Sequence, residues 1–306
     1  MHYLIVRPGA IGDTLLTFPV IQALRAQSSN PHITFVGNAA VLPLALAAHI
    51  AEEVFDYDSR QWSALFATDG IHSPTLQALL QHIDVAICWL RDPEQIVERN
   101  LRSLGIQRIV IAPGHPSHNE HIHIVDYLAR TLNLQQPVPF NPLFYTPDNT
   151  HIRDHSMQPI AIHPGSGGSH KCWPITHFAS LIIKLWQRNI PILLLAGPAD
   201  SERMTTLLSL LPLPSSPTLL TTLIDVPLQT IAQQLQDCVG YIGNDAGITH
   251  LAALLALPTI VLFGPSDPHI WRPYGSTTHV LHELILTNLQ VDTVLYTVDE
   301  FFYHMR

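Results

Sequence analysis

Apolar residues gather along this chain in two kinds of block that alternate. Short runs such as HYLIV (2–6), HITFVG (32–37), DVAICWL (84–90) and QRIVIA (107–112) are nearly unbroken. That is the pattern of strands buried on both faces of a parallel sheet. Between them, DTLLTFPVIQALRAQ (13–27) spaces Leu15, Leu16, Val20, Ile21 and Leu24 at helical intervals. Segments near 39–49, 93–104 and 120–132 read as further helices, and EVFDYD (53–58) as a further strand. The alternation predicts a sheet with helices on both faces. Residues 135–150, QQPVPFNPLFYTPDNT, hold four prolines and no period, which marks a linker.

The pattern then restarts. QPIAIHPG (158–165) is a strand running into a glycine loop, and PITHFASLIIKLWQR (174–188) is a helix opened by Pro174. IPILLLAGP (190–198) is a strand, with helices near 200–210 and 227–236. CVGYIGNDAG (238–247), the helix ITHLAALLA (248–256) and the strand PTIVLFGPS (258–266) follow, and VDTVLYTVDEFFYHM (291–305) is a last amphipathic helix. Two α/β halves on one linker predict two Rossmann-like domains facing each other across a cleft.

Composition narrows the function classes. Hydrophobic residues make up 47% and charged residues 13%, which excludes a disordered chain. A net charge of −9 argues against a general nucleic-acid binder. Nineteen histidines make the charge sensitive to mild acid. Cys88, Cys172 and Cys238 lie far apart, which fits a reducing cytosol rather than a disulfide framework. The opening MHYLIVRPGAIGD lacks a basic head followed by an apolar segment, so no signal peptide is expected. The most apolar stretches are broken by Pro43 and Pro258 and are short for a membrane span.

Three loops hold candidate chemistry. In HPGSGGSHKCWP (163–174), glycines let backbone N–H groups approach an anion, and Lys171 supplies a full charge. It is not a P-loop, because His170 and Cys172 flank the lysine. Lys171 reads either as a phosphate ligand or as a solvated turn residue. In GNDAGITHLAALLALPTIVLFGPSDP (243–268), Thr249 and the backbone amides suit a phosphate; Asp245 reads equally as a helix cap and His250 as a core histidine. RPGAIGDTLL (7–16) lacks one glycine of the dinucleotide fingerprint and ends in Asp13, either a cap or a general base. A fourth segment, GHPSHNEHIHIV, gathers His115, His118, His121 and His123 without an accompanying cysteine or acidic ligand motif, and no metal site is assigned to it.

RPGAIGDTLLTFPVIQALR, HPGSGGSHKCWP and GNDAGITHLAALLALPTIVLFGPSDP, in that order, resemble glycosyltransferase family 9, the ADP-heptose:lipopolysaccharide heptosyltransferases. The resemblance runs over residues 1 to about 300. It implies a GT-B fold: an acceptor-binding domain over 1–140, a nucleotide-sugar-binding domain over 151–288, and a helix over 289–306 that crosses back to the first domain. It implies inverting, metal-independent transfer of a heptose or related sugar from a nucleotide-diphosphate sugar such as ADP-heptose to a cell-envelope glycan. No cofactor beyond that donor is implied. Asp13 matches the family's general base, and Lys171 the lysine on the donor phosphates. Asp245, Gly247, Thr249 and His250 match the donor loop, with Ser166 and Ser169 near the phosphates. Glu202, with Asp200 as alternative, falls where an acidic residue holds the ribose. The chain is short for the family, and Ala246 and Ser266 stand where many members have threonine. Few basic residues are available to hold an acidic acceptor; Arg7, Arg60, Arg91, Arg99 and Arg102 are the candidates. The implied location is the cytoplasm, open to peripheral contact with the inner face of the inner membrane. An epimerase on the same fold and a non-catalytic nucleotide-sugar-binding module are the rival readings.

Overall fold

The structure is a computed structural model that describes residues 1–117, 119–144 and 158–304. It forms two compact units, Met1–Asn141 and Pro142–Arg306. His118 and residues 145–157 of the linker region lie outside the described residues, as do Met305 and Arg306.

The first unit runs β1 (His2–Val6), α1 (Ile11–Leu15), α2 (Phe18–Ala26), β2 (His32–Gly37), α3 (Leu42–Ala47), β3 (Glu53–Asp56), α4 (Pro74–Leu80), β4 (Val85–Trp89), α5 (Ile96–Ser103), β5 (Arg108–Ala112) and α6 (Ile124–Thr131). Its strands pair in parallel in the order β3-β2-β1-β4-β5. β1 and β4, the most apolar runs, lie in the middle, and Leu4, Val6, Ala86 and Cys88 pack there with Leu76, Val97 and Leu101. The single helix expected over 13–27 is two helices. Pro19 has no N–H to donate, so the ladder stops after Leu15 and restarts at Phe18. α4, opened by Pro74 and capped by the Ser73 hydroxyl, lies in a stretch to which the sequence pattern assigned no element.

The second unit runs β6 (Ile160–His163), α7 (Ile175–Trp186), β7 (Ile192–Ala196), α8 (Ser201–Leu210), β8 (Leu220–Ile224), α9 (Leu228–Leu235), β9 (Gly240–Asn244), α10 (Gly247–Leu254), β10 (Thr259–Phe263), α11 (Pro268–Trp271), β11 (Thr278–His282) and α12 (Val291–Val298). Its six parallel strands lie in the order β11-β10-β9-β6-β7-β8. β8 and β11, the two edges, were not expected; LTTLI and THVLH are half-exposed and mix polar with apolar positions. The last helix, expected to cross back to the first domain, packs Val294, Leu295 and Val298 into the second unit's core beside Ile182 and Leu185. A π-helical turn, Asp299–His304, continues it and adds Phe302 to the same cluster.

Each unit is therefore a Rossmann-like doubly wound sheet. In each, the chain reverses its direction of growth beside the first strand, between β1 and β4 and between β6 and β9. Open α/β sheets bind ligands outside the carboxyl ends of the strands at such points. Asp13 stands in the first turn of α1, just after β1; the segments after β6 and β9 carry Lys171 and Asp245. Among the described residues no helix is long and apolar enough to cross a membrane.

Candidate active site

In the first unit the chain leaves β1 at Val6 and turns through Arg7–Ala10 into α1. Gly9 holds φ at +140°, and a Cβ there would stand 2.8 Å from the Asp13 side chain. Only glycine lets the turn close so tightly on that carboxylate. Asp13 Oδ2 accepts the Ala10 N–H at 3.0 Å, a first-turn contact that also meets the helix dipole. Its Oδ1 accepts from Arg7 Nη2 at 3.0 Å. The Arg7 side chain is 5% exposed and that of Asp13 is 30% exposed. Burial, the largest influence, lowers the guanidinium's pKa, and the negative Asp13 works against it. Asp13 is thus held at both oxygens by the protein, while part of the carboxylate stays open to solvent.

Arg7 was a candidate for holding an acidic acceptor. Its guanidinium is instead turned inward under Asp13, so its charge serves the aspartate. Arg60, Arg91, Arg99 and Arg102 are exposed. Arg102 forms an ion pair with Glu98 at 2.7 Å, and Arg99 donates to the Thr68 carbonyl at 3.5 Å. The histidine run does not converge on one point among its described members. His123 is buried and caps α6, accepting the Val125 N–H at 3.2 Å, while His115 contacts the Pro116 carbonyl at 3.1 Å.

In the second unit one buried amide joins the two loops. Asn244, at the end of β9 and fully buried, donates to the Pro164 carbonyl at 2.8 Å and the Gly165 carbonyl at 3.1 Å. Its Oδ1 accepts the Trp173 N–H at 2.9 Å. The Ser166 hydroxyl adds a bond to the Asp245 carbonyl at 2.7 Å. Lys171, in a short 3₁₀ turn at Ser169–Lys171, then reaches across to Asp245 Oδ2 at 3.2 Å. His250 Nε2 stands 3.9 Å from the other oxygen of Asp245. Asp245, Ala246 and Gly247 are half-buried, Ser169 is exposed, and the first amides of α10 begin at Gly247. A helix N-terminus leaves its first N–H groups without intrahelical acceptors, which suits an anion. Together these place a lysine ammonium, a carboxylate and the N-terminal turn of α10 at the carboxyl ends of β6 and β9.

Two of the expected donor contacts are corrected. The Thr249 hydroxyl is fully buried, donates to the Asn244 carbonyl at 2.5 Å and meets the Tyr241 hydroxyl at 2.9 Å. It closes the β9–α10 turn from beneath and is not presented to a ligand. Asp200, the alternative ribose ligand, is buried: its Oδ2 contacts His163 Nε2 at 3.0 Å and accepts the Gly197 N–H at 3.0 Å. Burial, the largest influence, pushes its pKa up. The His163 bond and charge, the Gly197 amide and Arg203 outweigh it and hold the carboxyl below its ordinary range. A Cβ on Gly165 would lie 1.9 Å from Asp200 Oδ1, so the loop lies directly on this carboxylate. Glu202, in the first turn of α8, is exposed, which keeps it as the candidate. Arg203, to which the sequence reading gave no role, braces the loop from below through the carbonyls of Pro164 (2.7 Å) and Trp173.

Comparison with known proteins supplies an independent view. The family described as glycosyltransferase family 9 (heptosyltransferase) matches residues 115–290. A curated relative, lipopolysaccharide heptosyltransferase 2 of Salmonella typhimurium, is 27% identical over 123 residues; the match covers 40% of this chain and 35% of that protein, about a third of its length. Among solved structures, the E. coli ADP-heptose lps heptosyltransferase II superposes with a TM-score of 0.78 at 18% identity over 99% of both chains. The E. coli heptosyltransferase WaaC with ADP gives 0.72 at 19% identity, covering 98% of this chain and 99% of that one. These structural likenesses establish the fold.

Proposed function

The chain belongs to glycosyltransferase family 9 (heptosyltransferase), and from that premise we propose that it moves a heptose from ADP-heptose to a cell-envelope glycan such as the lipopolysaccharide core, with inversion. The observation that carries the reading is the pairing of Lys171 with Asp245 across the ends of β6 and β9. Cleaving the bond between an anomeric carbon and a phosphate oxygen leaves negative charge on the departing diphosphate and oxocarbenium character on the sugar. Lys171 and the first amides of α10 meet the diphosphate, and its arrival draws the ammonium away from Asp245. Asp245 then faces the sugar, and His250 beside it holds that carboxylate in place. Ser169 and Gly247 line the phosphates, Ser166 fixes the loop, and Glu202 receives the ribose. Asp13 takes the proton of the acceptor hydroxyl. A single displacement at the anomeric carbon inverts its configuration. The acceptor is a growing glycolipid, which sets the reaction at the cytoplasmic face of the inner membrane.

The test is transfer from ADP-heptose to a truncated lipopolysaccharide core. Lys171→Met should lower kcat by about 10²–10³-fold, the usual cost of losing one donor to a developing oxyanion. Asp13→Asn should lower kcat by about 10²–10⁴-fold while calorimetry still shows ADP binding. Full turnover in either variant would remove that residue from the mechanism. Release of an isomerised sugar from the donor alone, with no acceptor, would replace transfer by epimerisation.

A further inference from the structure

We propose that the first unit carries a site for a divalent cation of the zinc class, built by His2, His32 and Glu53 at the starts of its strands. The register places them together. His2 pairs with His32 across β1 and β2, and Thr34 pairs with Glu53 across β2 and β3. Side chains two apart on a strand share a face, so His32 and Thr34 point the same way, as do their partners. The outcome is one ligand atom each from two imidazoles and a carboxylate, all within 4.8 Å of one another. The two rings meet edge to face with centroids 4.3 Å apart, and His32 Nε2 stands 3.8 Å from Glu53 Oε2. Beneath them the wholly buried Thr34 contacts His2 Nε2 at 2.8 Å and donates to Glu53 Oε2 at 2.9 Å. The hydroxyl therefore orients one imidazole and the carboxylate about a common point.

Two imidazoles and one carboxylate are a donor set that zinc takes, with a fourth position left for water. Zinc ligands stand about 2.0–2.2 Å from the ion, so the three atoms need to close by only about 1 Å. The His32 and Glu53 side chains are 45% and 46% exposed and have room to do so. Asp84, which accepts the His2 N–H at 2.7 Å, adds a second negative charge close by. Asp13 follows the other end of β1, so the site is separate from the one that family membership points to. Its physical effect is to cross-link the starts of β1, β2 and β3.

The experiment uses the full chain without a histidine tag. Titration with ZnCl2 by calorimetry should show one ion per chain, and zinc should raise the melting temperature, because it binds the folded state. His32→Ala should weaken binding by at least about ten-fold, the lower bound for losing even an outer-shell partner, and should abolish the thermal shift. Glu53→Gln, a gentler change, should also weaken it. His72→Ala, which removes an exposed histidine paired with Asp69 at 3.2 Å, should leave binding as in the wild type. No one-to-one binding, wild-type affinity in His32→Ala, or equal loss in His72→Ala would overturn the site.

Discussion

Removing Asp13 does two things at once, and the structure separates them. The Arg7 side chain is 5% exposed and its Nε has no hydrogen-bond partner among the described residues, so much of what makes its burial tolerable is the bond to Asp13. Asp13→Ala leaves that cation buried and unpaired, which costs about 3–5 kcal/mol. The reverse change is not symmetrical. Arg7→Met deletes the costly group and leaves a carboxylate that water already reaches, still bonded to the Ala10 amide, so only about 1–2 kcal/mol is lost. The double variant, with neither charge, should regain most of the stability of the Arg7→Met protein and none of the transfer activity. On a unit of this size, Asp13→Ala should lower the melting temperature by on the order of 10 °C. The assay is a double-mutant cycle in urea, read by circular dichroism, beside a transfer assay on the same four proteins. Asp13→Ala melting like the wild type, or Arg7→Met proving the more damaging of the two, would refute the reasoning.

Three further outcomes follow from the second unit and the thiols. Gly165→Ala drives a methyl into Asp200 and should cost about 1–3 kcal/mol while weakening ADP binding, checked by denaturation and calorimetry. Because the folded Asp200 carboxyl titrates below its ordinary value, its contribution is fully present above about pH 4 and lost as pH falls through the lower folded value. The wild type should therefore lose more stability than Asp200→Asn between pH 6 and pH 3. Burial pushes the Cys88 and Cys238 thiols up to about 12, so neither should alkylate in the folded protein at pH 8. Cys172, only half-buried beside Lys171, should label first, and saturating ADP should slow it; equal labelling of all three would contradict the assigned burial.

The central strands were legible because burial on both faces leaves little but Val, Ile, Leu and Ala in runs such as HYLIV and ILLLA. From that alternation the two sheets and the three loops at their carboxyl ends followed directly. The edges were not legible: Thr221, Thr222 and His279 sit on half-exposed strands where polar residues cost nothing, so the period disappears. Pro19 was visible, yet the apolar spacing on either side of it still reads as one continuous helix. In the candidate sites, sequence marked segments, and only the structure shows where particular side chains face. From sequence Arg7 is a candidate for holding an acidic acceptor, since arginine is seldom buried, and only folding shows Asp13 above it. Asp200 and Glu202 differ by two positions, and the choice between them lies with His163, a partner 37 residues earlier. Thr249 carries a hydroxyl suited to phosphate, but Tyr241 and the Asn244 carbonyl claim it from inside.

Asn244 has a consequence for how this loop can change. The shape of the glycine loop is set by an amide rooted in the sheet, which grips the backbone of Pro164, Gly165 and Trp173. The path of the loop is therefore set mainly from beneath, with the Ser166 hydroxyl adding one bond to the Asp245 carbonyl. Positions 167 and 170 can vary while the scaffold beneath them stays as it is, so the rim of the proposed donor site can change by surface substitution without refolding the loop.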